Sequence, residues 1–187
     1  MKKFALLIMV LLTTISLSAC GSKSNMEELS SIYNEFGDIY DEIDVLAGDM
    51  YSAWHYGIYE DDHSTSSLAW EVSLSSSDLT ADACDLLLLD EFSYCVLCVI
   101  DSYKELGHYD DIRTSLDEIK DRIKAIETKD EEELDLIEQL EDYYSTLVNF
   151  LELAEDYDGS FSSLQGDIQD YRNDVKDIES GLDFDLE

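Results

Sequence analysis

Leu29, Ile32, Phe36, Ile39, Ile43, Leu46 and Met50 follow one another at spacings of 3, 4, 3, 4, 3 and 4 without a miss. That rhythm keeps every member on one stripe of an α-helix, so the rest of the chain must cover a seam three heptads long. Glu27, Glu35, Asp38, Asp41, Glu42 and Asp49 fall off the stripe and are expected on the wet face. Asn25, with Glu28 three residues on, reads as the cap of this helix, which should run from about Asn25 to Tyr59. The 187 residues contain no Pro, the residue that long helices tolerate least.

Further helices follow from the same periodicity. Residues 79–106 read as a second helix whose centre, LLLLDEFSYCVLCVI, is apolar on nearly every face, as a central bundle member would be. Gly107 supplies its stop. Ile112, Leu116, Ile119, Ile123 and Ile126 form a third seam, and Ile137, Leu140, Tyr144, Leu147, Leu151 and Ala154 a fourth. These two stay in phase, so residues 111–157 fit one helix or two. Thr128 with Glu131 makes a capping box that favours a break. After Asp158-Gly159-Ser160, a last helix carries Phe161, Leu164, Ile168, Tyr171, Val175 and Ile178 and should end at Gly181. Short polar connections between amphipathic helices point to an all-α, up-and-down antiparallel bundle of four or five helices. An elongated, coiled-coil-like rod would use the same seams, and a seam shared with a second copy would make a homodimer.

Location is written at the front of the chain. Lys2 and Lys3 precede the apolar run 4–15, and small residues lead to a cysteine, the regions of an export signal. Leu17-Ser18-Ala19-Cys20 followed by Gly21 resembles the lipobox of bacterial lipoproteins. The resemblance implies that residues 1–19 are cut off, that Cys20 is the lipidated first residue, and that the protein sits on the extracytoplasmic face of the cell membrane. It covers this leader only. Residues 20–24 then read as the lipidated Cys and a short tether, and 25–187 as a single acidic helical-bundle domain.

The charge excludes one class of partner. Without Lys2 and Lys3, 9 of the 11 basic residues face 45 acidic ones, a formal charge of −36. Nucleic acid is the wrong sign, and anionic headgroups would repel the protein surface, leaving the lipid to hold it at the membrane. Yet 45% of the residues are apolar, ample for a core.

Catalytic chemistry finds no foothold. Cys95 and Cys98 form a C-x-x-C, but within an apolar helix rather than at the exposed helix start where redox pairs work. Cys84 lies about 16 Å from Cys95 along one helix at 1.5 Å per residue, so those two cannot bridge there. Three cysteines after lipidation is an odd number, and they read as small buried apolar residues, with a Cys95–Cys98 disulfide as the alternative. A zinc site from Cys95, Cys98 and His108 lacks ligand spacing. The DYDGS stretch lacks the downstream ligands of a calcium loop. The sequence therefore points to no enzyme, metal or cofactor.

The segment 51–70, YSAWHYGIYEDDHSTSSLAW, gathers both Trp of the chain and two of its three His beside an acidic run. Tyr51, Trp54, His55, Tyr56, Tyr59 and Trp70 are the candidate partner-binding residues, because aromatics beside carboxylates suit a protein hot spot or a cationic peptide. Aromatics capping one end of a core would look the same. The expected function is non-enzymatic binding of a protein or peptide, and the alternative is sequestration of cationic antimicrobial peptides or cations by the acidic surface.

Overall fold

In the computed structural model, which describes residues 21–60, 64–89, 92–157 and 159–186, all seven seam residues are buried on one helix, α1 (Gly21–Tyr59). At 1.5 Å per residue its 39 residues extend about 58 Å. The leader 1–19 and Cys20 lie outside the described residues. Residues 21–24, set apart above as a tether, belong to the first turn of α1. Asn25 accordingly does not cap the helix: its amide donates to Glu133 Oε2 at 2.9 Å instead.

A short helix α2 (Thr65–Leu68) and a 3₁₀ segment (Asp82–Leu89) follow, then α3 (Phe92–Leu106), α4 (His108–Ala125), α5 (Glu131–Glu155) and α6 (Phe161–Leu186). The fold is all-α. The long helices number five, in line with the sequence reading, and the two short elements bring the helical segments to seven among the described residues. α3 and α4 descend along α1 in the opposite sense: Tyr103 meets Asp49, and farther down Arg122 reaches Glu28 and Glu35. α5 runs back parallel to α1, with Phe36 against Tyr143 and Tyr40 against Phe150. α6 descends again, tied by Arg172 to Asp44 and by Glu179 to Tyr143. The chain thus makes four passes, up and down, and the second pass is broken between α3 and α4. Gly107 makes that break at φ 84°, a left-handed conformation in which glycine carries no side-chain penalty.

Several sequence expectations shift. Residues 79–106 are not one helix, and the central member is α1, which packs against α3, α4, α5 and α6. The 79–106 stretch is apolar all round because it folds on itself: the 3₁₀ segment covers α3. This reversal brings Cys84 beside Cys98, Cα to Cα 4.5 Å, and the two form a disulfide while Cys95 is free and buried. The single-helix reading excludes a Cys84–Cys95 bridge and offers Cys95–Cys98 as the alternative; the fold-back pairs Cys84 with Cys98 instead. The break between α4 and α5 is present at 126–130, but Asp130 rather than Thr128 caps α5, its carboxylate accepting from the Glu132 and Glu133 amides at 3.0 and 3.4 Å. On α5 the fully covered stripe is Leu136, Leu140, Tyr143, Leu147, Phe150 and Ala154, with Ile137 and Tyr144 at its edge. α6 passes through Gly181 to Leu186 and buries Leu182 completely.

Two measurements test this fold. Peptide mapping of the unreduced protein should recover Cys84 joined to Cys98, with Cys95 alkylated only after unfolding; burial pushes its thiol up to about 11. A Cys95–Cys98 link would overturn the arrangement. Removing the bridge with C84S/C98S should cost about 3 kcal/mol, the chain-entropy value for a loop near this length. Tyr103, Tyr109 and Tyr143 are buried, which chiefly raises their phenols above the ordinary value near 10. In the unfolded chain they ionise first, so their contribution is intact below pH 10 and is lost as pH rises beyond it. Stability should fall by roughly 1.4 kcal/mol per pH unit for each, and urea midpoints flat from pH 10 to 11 would contradict this.

Candidate functional site

The candidate aromatics sit where α1 ends. Residues 51, 54, 55 and 59 share a face, as spacings of three and four require, and α6 begins opposite them with Phe161. Its ring lies 5.1 Å from that of Tyr51, stacked at 15°, and 6.0 to 6.4 Å from those of Trp54, His55 and Tyr59. Tyr157 meets Trp54 edge-on at 6.0 Å. The structure therefore brings Tyr51, Trp54, His55 and Tyr59 together, chiefly as a lid on the bundle end. Tyr56 belongs to the core at 4% exposure. Trp70, on the turn after α2, is 87% exposed and is not among the rings around Phe161. His55 and Tyr59 keep an exposed edge. Residues 61–63 of this segment lie outside the described residues.

A second feature escaped the sequence reading. An open groove of about 890 Å³ runs between α1, the 73–78 connection and the corner of α3 and α4. Its floor is aliphatic: Leu46, Leu74 and Ile112 are covered by their neighbours, whereas Val45 and Leu106 remain 46% and 45% exposed. Asp41, Glu42, Asp78 and Asp111 stand around it, His108 lines one side, and among the described residues no Lys or Arg does.

Beneath the groove lies a buried carboxylate. Asp49, expected on the wet face of α1, is only 6% exposed. It accepts from the Tyr103 hydroxyl at 2.5 Å, from the Ser73 amide at 2.7 Å and from the Ser73 hydroxyl at 3.1 Å. Ser73 and Tyr103 both line the groove. Three neutral donors satisfy the carboxylate without a cation, which is what permits its burial. They also fasten the connection 64–81 to α1 and α3. The signal was present in the sequence: Asp49 stands three residues after Leu46 and four before Ala53, on the flank of the seam.

Elsewhere the arginines are placed between helices, and a second acid, Glu133, is buried at 3% exposure beside the Asn25 amide. All three arginines are spent between helices: Arg122 on Glu28 and Glu35 at 2.7 and 2.5 Å, Arg172 on Asp44 at 2.6 Å, and Arg113 on Glu155. Lys120 lies 4.6 Å over the Tyr144 ring. Arg122 holds the Glu35 carboxyl below its usual range, chiefly by its hydrogen bond. A smaller pocket of about 240 Å³ adjoins the aromatic end, lined by Trp54, Val96, Leu97, Ile100 and Tyr157 with Asp101, Lys104 and Glu155 among its polar residues. Among the described residues, no cluster of three or more His, Cys, Asp or Glu could hold a metal ion, and no helix is long and apolar enough to cross a membrane. Comparison with protein-family models, curated proteins and solved structures finds no match, so the site is read from its own geometry.

The Asp49 linkage can be tested directly. Tyr103→Phe should cost about 1.5–3 kcal/mol, the range for a hydrogen bond to a charged group. Asp49→Ala should cost more, because the Ser73 amide loses its acceptor too. The double variant should lose less than the sum of the single losses; strict additivity in urea melts would mean that the two groups are not coupled.

Proposed function

We propose that this chain is a bacterial lipoprotein, anchored through Cys20 to the extracytoplasmic face of the membrane, that works as a non-enzymatic protein- or peptide-binding helical module. The groove between α1, the 73–78 connection and the α3–α4 corner carries the binding reading. It offers exposed aliphatic surface inside a polar rim, the composition of a recognition surface. The exposed edges of His55 and Tyr59 provide a further contact region at the bundle end. The leader residues Leu17 to Gly21 carry the location, and the Cys84–Cys98 disulfide supports it, because such bonds persist in oxidising compartments outside the cytoplasm.

A second reading, sequestration of cationic antimicrobial peptides, is favoured by one observation. With every arginine engaged between helices, the outward charge is overwhelmingly acidic. Salt separates the two, since attraction by a diffuse field collapses as ionic strength rises, whereas a packed contact persists.

In living cells, the wild-type protein should sediment with membranes and incorporate labelled palmitate, and Cys20→Ser should do neither. A photo-crosslinker at Leu106 or Tyr59 should yield a discrete adduct that one at Asp170 on α6 does not. Wild-type protein free of lipid would overturn the anchor. Identical behaviour at all three positions would overturn the binding surface.

A further inference from the structure

We propose that the occupant of the groove is a cationic amphipathic helix, lying with its apolar stripe on Val45 and Leu106 and its Lys or Arg side chains on Asp41, Glu42, Asp78 and Asp111. The inference rests on the binding reading above and names the partner of that same site. Two features select this occupant. Within the groove the exposed aliphatic side chains are Val45 and Leu106, so the ligand must offer an apolar stripe and not only charge. The rim carboxylates stand on three different elements, α1, α4 and the 73–78 connection, so the stripe must be flanked by positive charge on more than one side. An amphipathic basic helix has that cross-section, with apolar residues at spacings of three and four and basic residues on either flank.

The charge complementarity extends below the surface. Asp49, buried behind Ser73 and Tyr103, is matched by hydrogen-bond donors but by no base, so its negative charge adds to the potential at the floor. An acidic or neutral amphipathic helix would fit the floor and be repelled by the rim. An extended polybasic strand would satisfy the rim and leave Val45 and Leu106 in water. Discrimination therefore requires both properties in one ligand.

The test uses the purified protein and a fluorescent synthetic Lys/Leu peptide of about 18 residues, five helical turns, read by anisotropy at physiological salt. A scrambled peptide of the same composition is the control for the stripe. D41N/E42Q/D111N should weaken binding by about tenfold. D170N/D174N/D177N, which removes the same number of charges from α6, should leave it within about twofold. V45A/L106A should also weaken it and should reduce the preference for the amphipathic over the scrambled peptide. These positions are exposed, and an unchanged far-ultraviolet circular dichroism spectrum verifies each fold. Equal weakening by the two charge triples would overturn the inference, because the attraction would then be a diffuse field. No binding of the Lys/Leu peptide by the wild type would overturn it as well. In either case an adduct from Leu106 or Tyr59 in cells keeps the broader reading standing, whereas its absence at both positions removes both.

Discussion

Everything in this fold leans on the seam of α1. Seven apolar residues in strict register make one stripe about three heptads long, and a stripe of that length is stable in water only when neighbours cover it. Four helices do so, and their directions follow from the contacts they make with it. α3 and α4 share one descent along α1 because Gly107 lets the chain turn without leaving that surface. α5 and α6 complete the cover, with Phe36 on Tyr143 and Arg172 on Asp44 fixing their register.

The second constraint is electrical. A chain with 45 acidic residues and 11 basic ones must spend its cations where they decide geometry. The three arginines therefore sit between helices and not on the outer faces. Each pair is partly exposed and contributes little energy alone, but each selects one alignment of two helices. Where no cation was left, at Asp49, the fold uses a tyrosine hydroxyl and the two donors of one serine. That choice leaves the groove above Asp49 strongly negative and still apolar at its floor.

Regular spacing made most of the architecture legible: the α1 seam, the stop at Gly107, the break near 126–130 and the aromatic end. The larger misreadings share a cause, since they involve residues whose role depends on a partner outside the local pattern; the cap of α5, Asp130 in place of Thr128, is a local exception. LLLLDEFSYCVLCVI looked like a helix surrounded by others because periodicity cannot reveal a segment doubling back on itself, and the Cys84–Cys98 pairing was lost with it. On α5 the stripes through Leu136 and Tyr143 and through Ile137 and Tyr144 are both apolar and share Leu140, Leu147 and Ala154. A helix touching α1, α4 and α6 needs a face that wide, so the pattern alone could not centre it. Asp49 was assigned to water because it is charged, and only its donors explain why it is not. The groove was illegible for the same reason: its walls come from three stretches that no local pattern joins. Of the aromatic candidates, Tyr51, Trp54, His55 and Tyr59 do assemble, but Phe161, the ring that organises them, looked in the sequence like one more seam residue.

The central position of α1 also sets how the molecule moves in time. No long helix can depart without baring part of the seam, so the amide protons along it should exchange with solvent only when the whole domain opens. The connection 64–81 is different: little of it is regular helix, and the carboxylate of Asp49 is its chief polar fastening to the bundle. Its amides are expected to open as a smaller unit than the seam, at a cost set by Asp49 and by the buried Leu68, Leu74 and Leu79. One side of the groove is then expected to breathe without the strut beneath it.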